Sequence, residues 1–205
     1  MDNYRLSRDR AQAFFLKFDQ KKIIMDWDLP HDEAWLYTEF LGKSYRICRS
    51  SGMVERSWNG EQAEHGETLS IFDLLCHVGE DKRYSGRYAP VNSLKSRPRA
   101  IGVETGFYTK TAVRFDADVE RFCRACERLG AEAVDMGDVG YRFPVFQKLS
   151  VILKFYRGDE DFPASITLLW DENMLQFVYY ETVFYIAGVL LQRISDEMDI
   201  GSSNK

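Results

Sequence analysis

The sequence predicts an α+β fold, an antiparallel β-sheet of about five to seven strands with helices packed mainly on one face. Three observations predict it. Leu149, Val151, Leu153 and Phe155 alternate with polar or outward positions, and Ile166, Leu168 and Trp170 repeat the pattern beyond Gly158-Asp159. Two alternating runs around a Gly-Asp turn are the pattern of an antiparallel hairpin. The segment from Tyr180 to Met198 is apolar nearly all round in its middle, at Val183, Phe184, Ile186, Ala187, Val189, Leu190 and Leu191. Such a helix belongs in the interior. Finally, 205 residues with 45 % hydrophobic content, 14 Phe, 11 Tyr and 4 Trp can bury a core without a metal or a disulfide framework.

The remaining elements follow in chain order. Residues 3–18 read as a helix capped by Asp2 or Asn3, with Tyr4, Ala11, Phe14, Phe15 and Phe18 on one face. Residues 35–48 read as a hairpin turning at Gly42, with Leu36, Thr38 and Phe40 on one side. Residues 50–66 are polar and Gly-rich, a loop or ragged edge. A short helix is expected from Thr68 to Val78, with Gly79 as its C-cap. Residues 80–106 hold Gly86, Pro90, Pro98, Gly102 and Gly106 and predict an irregular segment with one or two short strands. Asp116 or Asp118 opens a helix that runs to Leu129 and ends at Gly130. Gly188 inside the last helix costs about 1 kcal/mol relative to Ala, and close backbone packing is the expected reason for it. The whole chain, 1–205, reads as a single globular domain, with 200–205 as a flexible tail.

The hairpin from Phe143 to Asp171, with Gly158, Asp159, Glu160, Asp161, Phe162 and Pro163 at its turn, and the helix from Glu181 to Ile194 resemble a bacterial and archaeal family called domain of unknown function 3786. Residues 40–47, 74–77 and 84–94 extend the resemblance over most of the chain. It implies a fold and no reaction. Some members of that family carry an added four-cysteine iron–sulfur module similar to one in corrinoid proteins. This sequence has no such module, so no cluster ligands carry over. The resemblance implies that Asp159 and Pro163 set the shape of the turn.

Composition excludes several function classes. A net charge of −5 and a pI near 5.3 argue against nucleic-acid binding by the surface at large. The longest strongly apolar run, Val183 to Leu191, is about half of what crosses a bilayer, and the first residues lack the apolar stretch of a secretory leader. Cys48, Cys76, Cys123 and Cys126 show no framework spacing, so reduced thiols in a cytoplasmic protein are expected.

The candidate chemistry is sparse. Cys123 and Cys126 lie well inside a predicted helix, beside its apolar stripe, and read as core cysteines. No metal site and no cofactor are expected. The acidic groups 159–161 and 171–173 sit at opposite ends of one strand, about 23 Å apart at about 3.3 Å per residue. They read as turn residues, as does His31-Asp32-Glu33. His77 falls in the last turn of its helix, where it suits the C-terminal carbonyls. The strongest anomaly is Lys82 to Arg99, which holds Lys82, Arg83, Arg87, Lys95, Arg97 and Arg99, with Tyr84 and Tyr88 interleaved and no acidic residue. Arg83 and Arg87 share a side in a helical turn or in an extended strand, a geometry suited to carboxylate or phosphate. The expected ligand-binding set is therefore Arg83, Arg87, Tyr88 and His77. Two functions compete. One is a non-enzymatic binding module for an anionic small molecule or an acidic partner protein. The other is an enzyme of unrecognised type using His77, with Arg83 and Arg87 as anion anchor. A pocket holding these residues favours the enzyme, and a flat surface favours the binding module.

Overall fold

The computed structural model describes residues 3–77, 82–95 and 108–200. In chain order these form α1 (Asn3–Phe15), α2 (Gln20–Trp27), β1 (Trp35–Phe40), β2 (Lys43–Cys48), β3 (Val54–Arg56), α3 (His65–Cys76), β4 (Tyr88–Pro90), α4 (Thr109–Ala117), α5 (Val119–Arg128), β5 (Glu132–Ala133), β6 (Val139–Phe146), β7 (Leu149–Tyr156), β8 (Ser165–Asp171) and α6 (Tyr180–Ile200). The fold is α+β, as expected, but the strands divide between two antiparallel sheets. One has the order β1-β2-β3 and the other β4-β8-β7-β6-β5.

The first sheet grows from a tight hairpin. Phe40 pairs with Lys43, and both residues between them have positive φ, Leu41 at 50° and Gly42 at 68°. Two left-handed residues in a row make the turn whose twist matches paired strands. Leucine tolerates that backbone here because its side chain is buried and its amide donates to the Val145 carbonyl at 2.9 Å. That hydrogen bond ties the small sheet to β6.

The second sheet follows the expected alternation. Leu153 pairs with Leu168, and Val151 with Trp170. Leu153 is fully buried, and Leu168 and Trp170 nearly so. The register slips between Pro144 and Phe146. Proline has no amide to give the ladder, and a bulge accommodates it. Between β7 and β8 the turn is longer than Gly158-Asp159. Asp159 accepts the amides of Asp161 and Phe162 at 2.9 and 2.7 Å, which is the turn-forming role expected of it.

Helix α6 buries Val183, Ile186, Ala187, Leu190, Leu191, Ile194 and Met198 and packs against α3 and α5. One apolar cluster joins both sheets to all six described helices. Several local expectations need correction. Helix α1 ends at Phe15, and of its expected apolar face Tyr4 and Phe14 are exposed. Asp116 lies inside α4, whereas Asp118 caps α5 by accepting the Arg121 amide at 3.0 Å. A Cβ at Gly188 would meet nothing within 4 Å, so close packing does not explain that glycine. The close approach lies across the interface at Gly66, where a Cβ would come within 3.2 Å of Val189. Gly79, Gly102, Gly106, Pro98, Arg97 and Arg99 lie outside the described residues, as does the expected tail apart from Ile200. Among the described residues, no helix is long and apolar enough to cross a membrane.

A buried ionic network fastens the small sheet to α3 and α6. Glu67 is 4 % exposed. It accepts from Tyr45 Oη at 2.5 Å, Arg56 Nη2 at 2.8 Å, the Glu64 amide at 2.8 Å and Arg193 Nη2 at 3.3 Å. Arg193 also donates to Tyr45 Oη and to the carbonyls of Phe40 and Leu41. No pattern in the sequence marks this network, because its members come from four separate elements.

Candidate functional site

The site is built from five pieces of chain, Phe177 before α6 among them, around a cavity of about 580 Å³. Helix α2 supplies Lys22, Asp26 and Trp27, the end of α3 supplies Cys76 and His77, the extended segment after it supplies Lys82 and Tyr84, and the β6–β7 turn supplies Gln147 and Lys148. Asp19 starts α2 by accepting the amides of Lys21 and Lys22. Asp28 ends it in the left-handed region, at φ 49°. Trp27 is pinned by its indole N–H, which donates to the Leu75 carbonyl at 3.2 Å, and by Gln147, which donates to the Trp27 carbonyl at 3.0 Å.

The Lys82 ammonium lies 4.8 Å from the centre of the Trp27 ring. Among the described residues, no carboxylate comes within ion-pair distance of it. Burial pulls its pKa below the ordinary lysine value, against the opposing pull of Asp26 and Asp73. Lys22, by contrast, is neutralised by Asp26 at 2.7 Å. Tyr84 stacks on Phe177 with 4.9 Å between ring centres.

His77 follows the last residue of α3. Its Nδ1 is buried without a hydrogen-bond partner and sits 3.6 Å from Asp73 Oδ1, close to but beyond hydrogen-bond reach. The other Asp73 oxygen accepts the Tyr179 amide at 2.7 Å, and the Tyr179 ring meets the imidazole edge-on at 4.5 Å. Position i−4 on a helix is where a partner for a helix-end histidine should be sought, so the Asp73 signal was present in the sequence and was missed. Cys76 lines the same cavity, but burial pushes its thiol up to about 12, which removes it as a nucleophile.

Of the four residues expected to bind ligand, the structure brings only His77 to this cavity. Arg87 donates from Nη2 to Glu172 Oε2 at 2.8 Å, and Lys95 approaches the same oxygen at 3.5 Å. Tyr88 Oη hydrogen-bonds Ser150 Oγ at 2.5 Å, and Arg142 lies over the Tyr88 ring. The Arg83 side chain is exposed, while its amide donates to Gln176 and its carbonyl accepts from Asn173. Arg83 and Arg87 do occupy positions of one parity, but the cavity lies on the other, with Lys82 and Tyr84. The acidic group at 171–173 explains why. Asp171 is 4 % exposed and accepts the amides of Ser85, Gly86 and Asn173 at 2.8–2.9 Å, fixing the path of the basic segment.

Away from the cavity, Cys126 is buried, Cys123 is partly buried, and both are free thiols on α5. Among the described residues, no group of three or more His, Cys, Asp or Glu could hold a metal ion.

Fold and cavity together define an α+β protein with an aromatic, lysine-bearing pocket beside a histidine-carboxylate pair. The family is shown directly: a model described as Domain of unknown function (DUF3786) matches residues 19–193, and the chain belongs to that family. Comparison with curated proteins and with solved structures gives no match.

Proposed function

We propose that the cavity between α2, the end of α3 and the β6–β7 turn binds a small anionic molecule with a flat or unsaturated body. The observation that carries this reading is Lys82, a half-buried cation held against Trp27 and facing a cavity of about 580 Å³. That volume is within the range of small-molecule sites, roughly 300–1,000 Å³. Lys148 at the rim adds a second positive charge, and Trp27, Tyr84 and Phe177 supply aromatic surface. A cation taken partly out of water interacts with an anion more strongly than one at the surface. The reading keeps His77 from the sequence-based set and moves the anion anchor from Arg83 and Arg87 to Lys82 and Lys148. Four free cysteines suit a reducing compartment, the cytoplasm.

The test is a fluorescence titration with anilinonaphthalene sulfonate, an aromatic anion that brightens in apolar surroundings. Saturable binding at one site per chain is expected, weakened by salt and by Lys82→Met, and unchanged by Arg87→Ala. Equal binding in wild type and Lys82→Met would remove the basis of the proposal.

A further inference from the structure

We propose that Lys82 is an imine-forming nucleophile and that the pocket takes a small 2-oxo acid, an anion with a ketone next to its carboxylate. The inference rests on the binding reading above and narrows its ligand. An amine reacts with a carbonyl only as the free base, and a lysine in partly apolar surroundings, away from carboxylates, reaches that state most readily. Lys82 has the apolar part of this environment, with Asp26 and Asp73 acting on it from beyond ion-pair distance. Its side chain is half-buried against Trp27, and no carboxylate among the described residues pairs with it. Burial lowers its basicity. The indole is fixed by Leu75 and Gln147, so the amine is positioned by a rigid wall.

The pocket also holds what the reaction needs around the amine. Lys148 has no ion pair among the described residues and lines the same cavity, where it can hold the carboxylate. His77 lines it too, with Nδ1 turned toward Asp73 at 3.6 Å. Cys76, the other nucleophile in the cavity, is held protonated by burial at a pKa of about 12.

The step balances without an oxidant or reductant. The Lys82 nitrogen lone pair attacks the ketone carbon as the carbon–oxygen π bond opens, and one of the two nitrogen protons passes to the oxygen. The resulting carbinolamine loses its hydroxyl as water, with the His77 imidazole relaying the second proton from solvent. The nitrogen proton returns to solvent or to the imidazole, leaving an imine between Lys82 and the 2-oxo acid.

The experiment incubates the full chain with pyruvate and sodium cyanoborohydride, which reduces an imine to a stable secondary amine. Intact mass and peptide mapping then locate the adduct. One adduct per chain, on Lys82 ahead of every other lysine, is expected. Prior addition of anilinonaphthalene sulfonate should protect against it. Lys82→Arg keeps the charge but loses the nucleophile, so it should retain dye binding and lose the adduct. His77→Gln should slow adduct formation by a larger factor than it weakens dye binding. Labelling spread over surface lysines such as Lys21 and Lys110 in wild type, or an undiminished adduct in Lys82→Arg, overturns the inference. Dye that binds normally while Lys82 stays unlabelled removes the imine and leaves the binding reading standing. Dye that fails to bind wild type removes both.

Discussion

Replacing Glu67 with Gln removes one negative charge from the centre of the network that joins the small sheet to α3 and α6. The substitution keeps the side-chain volume and one carbonyl acceptor. It leaves Arg56 and Arg193, whose side chains are only 19 % and 12 % exposed, facing each other without their shared carboxylate. Breaking a buried pair by removing one partner costs about 3–5 kcal/mol. Arg56 retains Glu64 at 3.2 Å and Glu61 at 3.5 Å, both largely exposed, which places the expected loss near the lower end, about 3 kcal/mol. That is a large share of a total stability of about 5–15 kcal/mol. Equilibrium urea denaturation reads it as a midpoint lowered by about 1–2 M with unchanged slope. The effect should depend on pH. Burial opposes ionisation of Glu67 and is the largest single influence, but the hydrogen bonds from Tyr45 and Arg56 with the attraction of Arg56 outweigh it, and the carboxyl pKa lies below the ordinary value of 4.5. The stabilisation is therefore complete above the unfolded-state pKa and lost as pH falls through the lower folded-state pKa. The gap between wild type and Glu67→Gln should close on acidification below 4.5. A loss under about 1 kcal/mol at neutral pH would refute the reasoning, because it would show that solvent already screens the two guanidiniums.

Three further outcomes are expected. Leu153→Ala should cost about 2–5 kcal/mol in chemical denaturation, since Leu153 is fully buried opposite Leu168; a shift below about 0.5 kcal/mol would contradict that burial. Asp171→Ala leaves the amides of Ser85, Gly86 and Asn173 without their acceptor and should cost about 1–3 kcal/mol together with weaker dye binding, whereas Glu172→Ala should change neither measurably. Cys48 should be alkylated first of the four cysteines, with a rate that rises through about pH 7, because the Ser50 and Ser51 hydroxyls hold its thiol down to about 7, while burial keeps Cys76 and Cys126 protonated and slow; mass mapping after a short pulse of iodoacetamide at neutral pH tests the order.

What the sequence revealed depended on how local the cause was. Alternation within β7 and β8 located their hairpin and its inward face, because side-chain direction along a strand follows from residue number alone. The apolar middle of α6 did the same for the last helix. The division into two sheets was not visible. The sheets meet where the Leu41 amide reaches a carbonyl of β6 more than a hundred residues away, and β3 and β5 are too short for a periodic signal. Among candidate site residues, His77 could be found from its place at a helix end, and Asp73 could have been found at i−4. Trp27, Gln147 and Lys148 could not, since nothing in the sequence says that α2 and the β6–β7 turn meet at the end of α3.

The two charge anomalies of the sequence account for one another. Read separately, Lys82 to Arg99 is a basic stretch without a local acid, and 171–173 is an acidic turn without an ion. In the structure residues 85–95 of the basic stretch lie against 171–173. Tyr88 pairs with Asp171 at the start of β4, and the Glu172 amide donates to the Arg87 carbonyl at 2.9 Å. The two consecutive acids divide the work by position. Asp171 accepts backbone amides and so fixes where the segment runs, while Glu172 takes the Arg87 guanidinium and the Lys95 ammonium. The pull of these cations, Arg87 above all, holds the Glu172 carboxyl below the usual range. With the amides of residues 85 and 86 held by Asp171, the chain preceding them is set in register, and the positions that line the cavity beside α2 are 82 and 84. A carboxylate at Glu172 thus neutralises Arg87 and Lys95 but has no reach to Lys82. That leaves Lys82, of the described cations in the basic stretch, as the one that lines this cavity, which is why the functional reading rests on a lysine rather than on the more conspicuous arginines.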